Sequence, residues 1–389
     1  MTESMTAPAG APRAPYRPLL TEDQLAHLPA NHPLRRAEGE IRANTASSPM
    51  LLALTGRGNQ ASHRPVWFMR QAGRSLPEYR AAREGIAMLD ACLTPELAAE
   101  ITVQPVRRHA VDAGIFFSDI VIPMKLAGVD VDIVPGRGPV LSSPVRTLED
   151  VRALPELEDS ALDVIREAIA ATVEKLGDTP LIGFAGAPFT VAAYMVEGGP
   201  SRDHLRPRTM MHADPQAWKE LGAWAARTAG QFLRAQIETG ASAVQLFDSW
   251  AGSLSEGDYR RYVQEHSAAS LAAVEEFGVP RIHFGTGTGE LLGAMYEAGA
   301  DVMGVDYRLP LDIASQRLGG KVVLQGNIDP ALLAAGPEVL YPHVDSVLQA
   351  GSAAPSHVVN LGHGVPPTTD PQVLTDLVSY IHRKTARTV

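Results

Sequence analysis

The chain carries LIGFA at residues 181–185, PQAWKELGAWAARTAGQFLRAQIET at 215–239 and AVQLF at 243–247. The first and third stretches are short apolar runs that contain β-branched or aromatic residues, and they predict buried strands. The second has apolar residues three and four positions apart, which predicts a helix with one buried face. A strand, a helix and a second strand in this order are typical of a parallel sheet with helical crossovers.

The same alternation extends along the chain in both directions. Eight runs are candidate strands, at 65–70, 113–118, 181–185, 243–247, 281–284, 301–305, 321–325 and 357–361. Candidate helices lie at 95–110, 161–176, 215–239, 257–277 and 370–384. Eight parallel strands close a (β/α)8 barrel, so we predict a single TIM-type barrel of the α/β class. A doubly wound open sheet gives the same alternation, but no GxGxxG motif follows the first candidate strand.

The candidate elements divide the chain into two parts. Residues 46–389 are dense in apolar residues without a linker-like interruption, and we predict that they form the barrel domain. Residues 1–45 are rich in Pro, Ala and Arg and poor in large apolar side chains, so we predict a flexible, disordered N-terminal tail. An interaction segment is the alternative for this tail.

Composition narrows the possible functions. The 389 residues are 45% hydrophobic and 20% charged, and their formal net charge is −10, so nucleic acid and anionic membranes are not expected partners. No run of about 18 apolar residues is present and no signal-like start, which predicts a cytoplasmic protein. Cys92 is the only cysteine, which rules out an internal disulfide and a metal site with several thiolates from one chain.

Polar residues follow the candidate strands, where the active sites of such barrels lie. In chain order they are Arg70 with Arg74, Asp119, Gly186, Asp248 with Ser249, Thr286, Asp306, Asn327 and His363. Any one of them could be an ordinary surface loop residue. Together they outline a polar site at one end of the predicted barrel.

The first of these loops is unusually basic for an acidic protein. PVWFMRQAGRSLPEYRAAR at 65–83 contains Arg70, Arg74, Arg80 and Arg83, with Glu78 as its only acid. Guanidinium groups match carboxylate and phosphate oxygens, so several arginines close together indicate a small polyanionic substrate. A solvated basic turn is the alternative.

Asp119 lies between two apolar stretches in AGIFFSDIVIP at 113–123. A buried carboxylate needs a partner, which could be a structural arginine or the N–H groups of a bound ligand. Ser249 and His363 are equally open to two interpretations. Ser249 could cap a helix and His363 could lie exposed in a Gly- and Pro-rich turn, or both could contact a substrate.

Other reaction classes have weak support in the sequence. Residues 286–289, TGTG, lack the lysine of a phosphate-binding P-loop, and no GxSxG motif is present. His343, His357 and His363 do not have the spacing of metal ligands on one helix, so no metal site is expected.

At 65–80 the sequence closely resembles the N-terminal signature of the uroporphyrinogen decarboxylase family. The resemblance spans most of the chain in six blocks: PVWFMRQAGRSLPEYR at 65–80, GIFFSDIVIPMKLAGVDVDIVPGRGP at 114–139, GFAGAPFTVAAYMVEGGPS at 183–201, VQLFDSWAGSLS at 244–255, QGNIDP at 325–330 and VNLGHGVPP at 359–367. It implies a cofactor-free (β/α)8 barrel that forms a homodimer. It also implies decarboxylation of the four acetate side chains of uroporphyrinogen III, which gives coproporphyrinogen III.

The resemblance also implies roles for individual residues. Those implied to bind substrate are Arg70, Gln71, Ala72, Gly73, Arg74, Arg83, Asp119, Tyr194, Phe247, Ser249 and His363. The Asp119 carboxylate is implied to face the pyrrole N–H groups, with Tyr194 beside it, and Phe247 to form an apolar wall beneath the ring. Asp119, Arg70 and Tyr194 are the implied catalytic residues. Ser75 and Trp250 depart from the family pattern, which has tyrosine and histidine there in many members.

This reaction suits a chain without a recognisable cofactor motif. Loss of carbon dioxide from an acetate needs an electron sink, and a pyrrole protonated beside the acetate can supply one. An anionic Asp119 under the pyrrole N–H would stabilise the resulting cation. Arg70, water or a substrate carboxyl group could deliver the first proton.

Two rival functions are compatible with the fold. A corrinoid-dependent methyltransferase of the same superfamily would use zinc held by cysteine and histidine, and the solitary Cys92 argues against it. A porphyrinogen-binding protein without catalysis is the second rival. The presence of every implied polar residue argues against the loss of activity.

Overall fold

A computed structural model describes residues 19–35 and 45–387, and its main feature is a parallel sheet. The strands are β1 Gly114–Ile115, β2 Val131–Val134, β3 Gly138–Leu141, β4 Leu181–Gly186, β5 Ala243–Asp248, β6 Arg281–Gly285, β7 Val302–Gly304, β8 Val323–Ile328 and β9 His357–Leu361. Seven of them form one parallel sheet in the order β1-β4-β5-β6-β7-β8-β9. The predicted α/β class with a parallel sheet is therefore confirmed.

The helices that surround the sheet follow the strands in alternation. Their bounds are α1 Glu22–His27, α2 Pro49–Leu54, α3 Pro77–Ala82, α4 Met88–Cys92, α5 Pro95–His109, α6 Ile122–Leu126, α7 Leu148–Arg152, α8 Asp163–Leu176, α9 Pro188–Glu197, α10 Leu205–Ala213, α11 Pro215–Thr239, α12 Glu256–Tyr262, α13 Gln264–Ala272, α14 Leu292–Glu297, α15 Leu311–Arg317, α16 Pro337–Ala350 and α17 Pro371–Thr385. Within the described ranges, no helix is both long and apolar enough to cross a bilayer.

The predicted first strand at 65–70 is replaced by an extended segment with a single parallel bridge, between Val66 and Val359. The Trp67 N–H donates to the Val359 carbonyl at 3.2 Å, and the Val359 N–H donates to the Pro65 carbonyl at 2.8 Å. On its other side, the Val66 carbonyl accepts from the Asp112 N–H at 2.9 Å. The segment therefore lies between the two edge strands β9 and β1 without forming a full ladder with either.

The predicted helix at 257–277 is interrupted. It consists of α12, α13 and a short 3-10 turn at Glu275–Phe277, and the chain leaves helical geometry at Val263. The Trp218 indole N–H of α11 donates to the Tyr262 carbonyl at 2.8 Å. The last carbonyl of α12 therefore accepts a hydrogen bond from α11, which is distant in sequence. The periodicity of the sequence does not predict this contact.

Part of the predicted N-terminal tail is folded. In residues 19–35, Thr21 caps α1 through a capping box, and Leu20, Leu28 and Leu34 are buried in the common core. These three leucines give the short segment enough apolar surface to pack, which corrects the prediction of disorder for this stretch. Residues 1–18 and 36–44 lie outside the described residues, so the prediction for them stays a prediction.

A buried histidine joins β8, β9 and the segment before residue 65. The His357 Nε2 atom lies 2.7 Å from the Gly326 carbonyl, and the Arg64 guanidinium lies 3.3 Å from Nδ1. The neutral ring satisfies both contacts, with Nε2–H as donor and Nδ1 as acceptor. Burial, with a smaller contribution from Arg64, lowers the pKa of His357 to about 3.

We expect His357 to make the stability of the protein depend on pH below neutrality. The unfolded chain takes up a proton near pH 6.5, whereas the folded chain does not until about pH 3. The contribution of His357 to the free energy of unfolding is therefore fully present above pH 6.5, and it falls as the pH decreases towards 3. Denaturant unfolding gives the free energy of unfolding of the parent and of His357→Gln at each pH. The slopes of this free energy against pH should differ by about 1.4 kcal/mol per pH unit between pH 6 and 4. Equal slopes would show that His357 is protonated in the folded protein.

Candidate active site

The candidate site lies at the carboxyl ends of the strands, and Arg70 projects into it after the buried residues Trp67–Met69. Arg70 has a left-handed backbone with φ of 60° and an exposed side chain. Its methylene stem lies against Gly364, where an added Cβ would lie 2.5 Å from Arg70 Cδ. Because Gly364 has no side chain, the methylene stem of Arg70 can occupy the space beside it.

We expect Gly364→Ala to impair substrate binding through Arg70. The new methyl group must displace the Arg70 stem, and a shift of about 1 Å in a binding group can lower kcat/KM by about 100-fold. Gly257→Ala, in α12, is the matched control because its Cβ would meet no atom closer than 3.9 Å. Steady-state kinetics and thermal unfolding of both variants distinguish a local effect from misfolding. Unchanged kcat/KM in Gly364→Ala would contradict the role of this contact.

The rest of the predicted binding segment is partly structural. The fully buried Gln71 side chain accepts from the Phe68 N–H and donates to the Ala113 carbonyl, both at 3.0 Å. Its side chain therefore holds the loop in place through two hydrogen bonds to backbone groups. Ala72 and Gly73 are half-buried and Arg74 is exposed beside them.

The four arginines of this region do not all converge on the site. Arg80 donates to the Arg74 carbonyl at 2.7 Å and stiffens the loop. Arg83 donates to the Tyr79 hydroxyl at 2.8 Å, to Met88 Sδ and to the Ile86 carbonyl. Its guanidinium is thus largely occupied within its own segment. Arg70 and Arg74 remain as the arginines most available to a ligand.

Asp119 lies just beyond β1. Its carboxylate accepts from the Val121 N–H at 3.1 Å, and its carbonyl accepts from the Ile122 N–H at the start of α6. Burial raises the pKa of Asp119 above its ordinary value, while the Val121 N–H and the positive charge of Arg70 oppose the increase. The carboxylate therefore has few partners of its own and lies within the field of Arg70.

Tyr194 projects from α9 towards the same region. Burial, and then the Asp119 carboxylate, raises the pKa of Tyr194 to about 12, whereas Arg70 acts in the opposite direction. Its ring stacks on Trp250 with centroids 3.8 Å apart, and Trp250 also contacts the His204 ring at 4.2 Å. The phenol therefore stays neutral at physiological pH beside Asp119.

Phe247 forms an apolar surface at the end of β5. The half-buried ring makes edge-to-face contacts with Phe184 and Phe284, with centroids 5.3 and 6.0 Å away. Three aromatic rings from neighbouring strands thus form one apolar wall. This placement agrees with the expected wall beneath a flat ligand.

Ser249 does not cap a helix, which removes one of its two interpretations. The 3-10 turn at Ala251–Ser253 begins after Trp250 and has no side-chain cap. The Ser249 carbonyl accepts from the Thr286 hydroxyl at 2.6 Å, and the side chain of Ser249 is half-buried. Behind it, the fully buried Asp248 accepts from the Thr190 hydroxyl at 2.8 Å.

His363 lies at the rim of the site. Its Nδ1 accepts from the Gly364 N–H at 2.7 Å, which leaves Nε2–H of the neutral ring as a donor. Partial burial, together with Arg70 and Arg308, lowers the pKa of His363, and Asp306 opposes this shift. His363 is therefore a neutral donor beside a cluster of positive charge.

Arg70 is the common neighbour of the predicted catalytic groups, since its charge shifts the pKa values of Asp119, Tyr194 and His363. The structure thus brings together residues from three distant parts of the chain. It also adds Gly364, His204 and Arg308, which the sequence did not single out, and it places Trp250, which departs from the family pattern, against Tyr194. Of these, Arg308 had a signal, because it lies two residues after the strand-end Asp306, with which it forms an ion pair.

Comparison with known proteins gives consistent results. Residues 46–384 match the family described as uroporphyrinogen decarboxylase. The uroporphyrinogen decarboxylase of Arthrobacter sp. is 69% identical over 87% of this chain and 97% of its own length. That of Streptomyces avermitilis is 57% identical over 91% of this chain and 99% of its own length.

A solved structure agrees at the level of the fold. A methyltransferase from Methanosarcina mazei superposes with a TM-score of 0.71 at 18% identity, over 86% of this chain and 97% of that protein. Identity this low shows a shared fold and does not carry the rival methyltransferase function to this chain. With matches over most of its length, the chain belongs to the uroporphyrinogen decarboxylase family.

Proposed function

We propose that this enzyme removes carbon dioxide from the four acetate side chains of uroporphyrinogen III and releases coproporphyrinogen III. The observation that carries the proposal is the position of Asp119. It is a half-buried carboxylate with a raised pKa, near the charge of Arg70 and beside Tyr194, at the end of the sheet where barrel enzymes place their chemistry. Membership of the family supplies the substrate and the reaction.

The substrate is a macrocycle of four pyrroles joined by methylene bridges, and it carries eight carboxylates. Arg70 and Arg74 bind carboxylates at the rim as paired donors, and Phe247 packs against the ring face. Ser249 and the Nε2–H of His363 donate to further carboxylate oxygens. Gln71 acts indirectly, because its two hydrogen bonds fix the loop that presents Arg70.

Asp119 accepts the pyrrole N–H groups that the substrate turns inward. These donors replace the partners that the carboxylate lacks in the protein, and they favour its anionic form. The ring carbon beside the acetate is protonated, and the resulting cation accepts the electron pair of the C–CO2 bond. Carbon dioxide leaves and a neutral exocyclic methylene is formed. Protonation of this methylene gives the methyl group, and loss of the proton first added to the ring carbon restores the neutral pyrrole.

In this scheme, Asp119 stabilises the cation electrostatically and transfers no proton. A fixed anion in a site with little water stabilises developing positive charge more strongly than solvent does. Tyr194 keeps its proton and orients the carboxylate region, since its pKa lies near 12. No cofactor takes part in this proposal.

Three further features belong to the same proposal. Residues 65–70 occupy the eighth position of the barrel, supported by their hydrogen bonds to β9 and to Asp112. The enzyme is a homodimer, as the family resemblance implies, and light scattering should give twice the mass of one chain. It acts in the cytoplasm, and residues 1–18 and 36–44 belong to an N-terminal extension.

The test is an anaerobic assay with purified protein and uroporphyrinogen III, without added metal and with a chelator. Oxidation and chromatography of the products should show loss of four carboxyl groups, matched by released carbon dioxide. Tight binding without carbon dioxide would support the non-catalytic rival. Zinc-dependent methyl transfer to a thiol, with no carbon dioxide released, would support the methyltransferase rival.

A further inference from the structure

A second cluster of reactive side chains lies at the opposite end of the sheet from the candidate active site. His63 precedes the segment at 65–70, Asp112 precedes β1, and His382 lies in the last turn of α17. The His63 and His382 Nε2 atoms lie 2.7 and 2.8 Å from separate oxygens of the Asp112 carboxylate. The two imidazole rings lie 4.1 Å apart between centroids.

These three side chains provide the donor atoms that transition metals prefer. Two imidazole nitrogens and a carboxylate oxygen, all within 4.8 Å of one another, match the three-ligand zinc sites of proteins. Zinc–ligand bonds of about 2.0–2.1 Å place neighbouring ligands about 3.3 Å apart in a tetrahedron. Each hydrogen-bonded nitrogen–oxygen pair therefore needs to separate by about 0.6 Å, and ligand atoms that lie up to 4.8 Å apart need to approach one another.

The cluster is also supported by neighbouring groups, as metal ligands usually are. The Val66 N–H donates to Asp112 at 2.7 Å and fixes the carboxylate. The Ser62 hydroxyl lies 3.0 Å from His63 Nδ1 and can accept its proton when Nε2 binds a metal. A histidine that binds a metal through Nε2 keeps its proton on Nδ1.

The solvent exposure and the charge of the cluster are also suitable for a metal ion. The side chains of His63, Asp112 and His382 are 20%, 9% and 26% exposed, so an ion can enter from solvent and keep a water as its fourth ligand. The Asp112 carboxylate supplies one negative charge, and the two rings are neutral ligands. A divalent ion would connect His63 and His382, which lie 49 and 270 residues from Asp112 along the chain.

We propose that His63, Asp112 and His382 bind one divalent transition-metal ion, best matched by zinc, which fastens α17 to the segment at the start of the barrel. The site is separate from catalysis, because Asp112 precedes β1 while Asp119 follows it. Zinc bound here is therefore a structural ion and gives no support to a methyltransferase activity. The proposal does not depend on the decarboxylase function.

The experiment uses the full chain, free of any polyhistidine tag and stripped of metal. Calorimetric titration with ZnCl2 and equilibrium dialysis with metal analysis should give one zinc per chain with a Kd of about 1 µM or below. Saturating zinc should raise the unfolding temperature by about 3 °C or more. Cobalt should give the visible absorption of a four-coordinate site, which tests the ligands without any substitution.

His382→Ala and Asp112→Asn should each weaken zinc binding at least about 30-fold and abolish the thermal shift. His212→Ala is the matched control, because His212 contacts Asp258 and Tyr262 and none of the three proposed ligands, and it should leave binding unchanged. If a variant unfolds, zinc binding by His63→Gln and the cobalt spectrum of the parent test the proposal instead. Failure of the parent to bind stoichiometric zinc below 100 µM, or binding unaffected by these variants, overturns the proposal.

Discussion

Replacement of Asp119 by asparagine should lower kcat by about 1,000-fold and leave KM within about threefold of the parent value. The amide oxygen still accepts pyrrole N–H groups, so binding is retained, whereas the negative charge that stabilises the ring cation is lost. Asp119→Glu keeps the charge and should retain appreciable turnover. Single-turnover release of carbon dioxide, with substrate affinity measured in parallel, separates the two effects.

The comparison of the amide and carboxylate variants tests the assigned role directly. If Asp119 carried a proton in the reaction, the longer Glu side chain would be poorly placed and both variants would be nearly inactive. If the charge were irrelevant, Asp119→Asn would turn over like the parent enzyme. Either result would contradict electrostatic stabilisation by Asp119.

Replacement of Arg70 by alanine should lower kcat/KM by about 100- to 1,000-fold, because the enzyme loses a paired donor for a substrate carboxylate. It should also shift the acidic limb of the kcat/KM profile to higher pH. Arg70 lowers the pKa of Asp119, so without its charge the carboxylate becomes anionic only at higher pH. Initial rates across pH 5–8 give both quantities.

A conservative variant separates charge from geometry at this position. Arg70→Lys keeps the positive charge and should preserve the acidic limb, but it lacks the planar fork and should still raise KM. Arg107→Ala is a suitable control, since Arg107 is exposed on α5 and pairs with Glu100. An unshifted acidic limb in Arg70→Ala would show that Arg70 does not act on Asp119.

Local patterns predicted most of the sheet. The runs at 181–185, 243–247, 281–284 and 357–361 became β4, β5, β6 and β9 with bounds within one residue at each end. Each is a short apolar run between helices. A strand that is buried on both faces of the sheet is apolar along its whole length, so its position can be predicted from the sequence. The run at 113–118 gave only Gly114–Ile115, because the chain then turns towards Asp119 and α6.

The sequence indicated which residues belong to the candidate site, but it did not indicate the direction of every side chain. The resemblance named Asp119, Tyr194, Phe247 and His363, which lie in or after β1, β4, β5 and β9, and their roles stay predictions. It could not show that Gln71 points into the protein, because its partners are backbone groups at Phe68 and Ala113. The direction of a side chain depends on partners that a linear pattern does not contain.

Periodicity was thus sufficient for the α/β parallel fold, and the spacing of polar residues for the polar end of the sheet. The family was indicated by the resemblance of six sequence blocks. The folded chain was needed to show which arginine faces Asp119, why α12 ends at Tyr262, and that residues 19–35 pack on the core. It was also needed to bring His63, Asp112 and His382 together. Local backbone preference and burial act over a few residues, whereas these contacts join segments tens to hundreds of residues apart, and their energy exists only once the chain is packed.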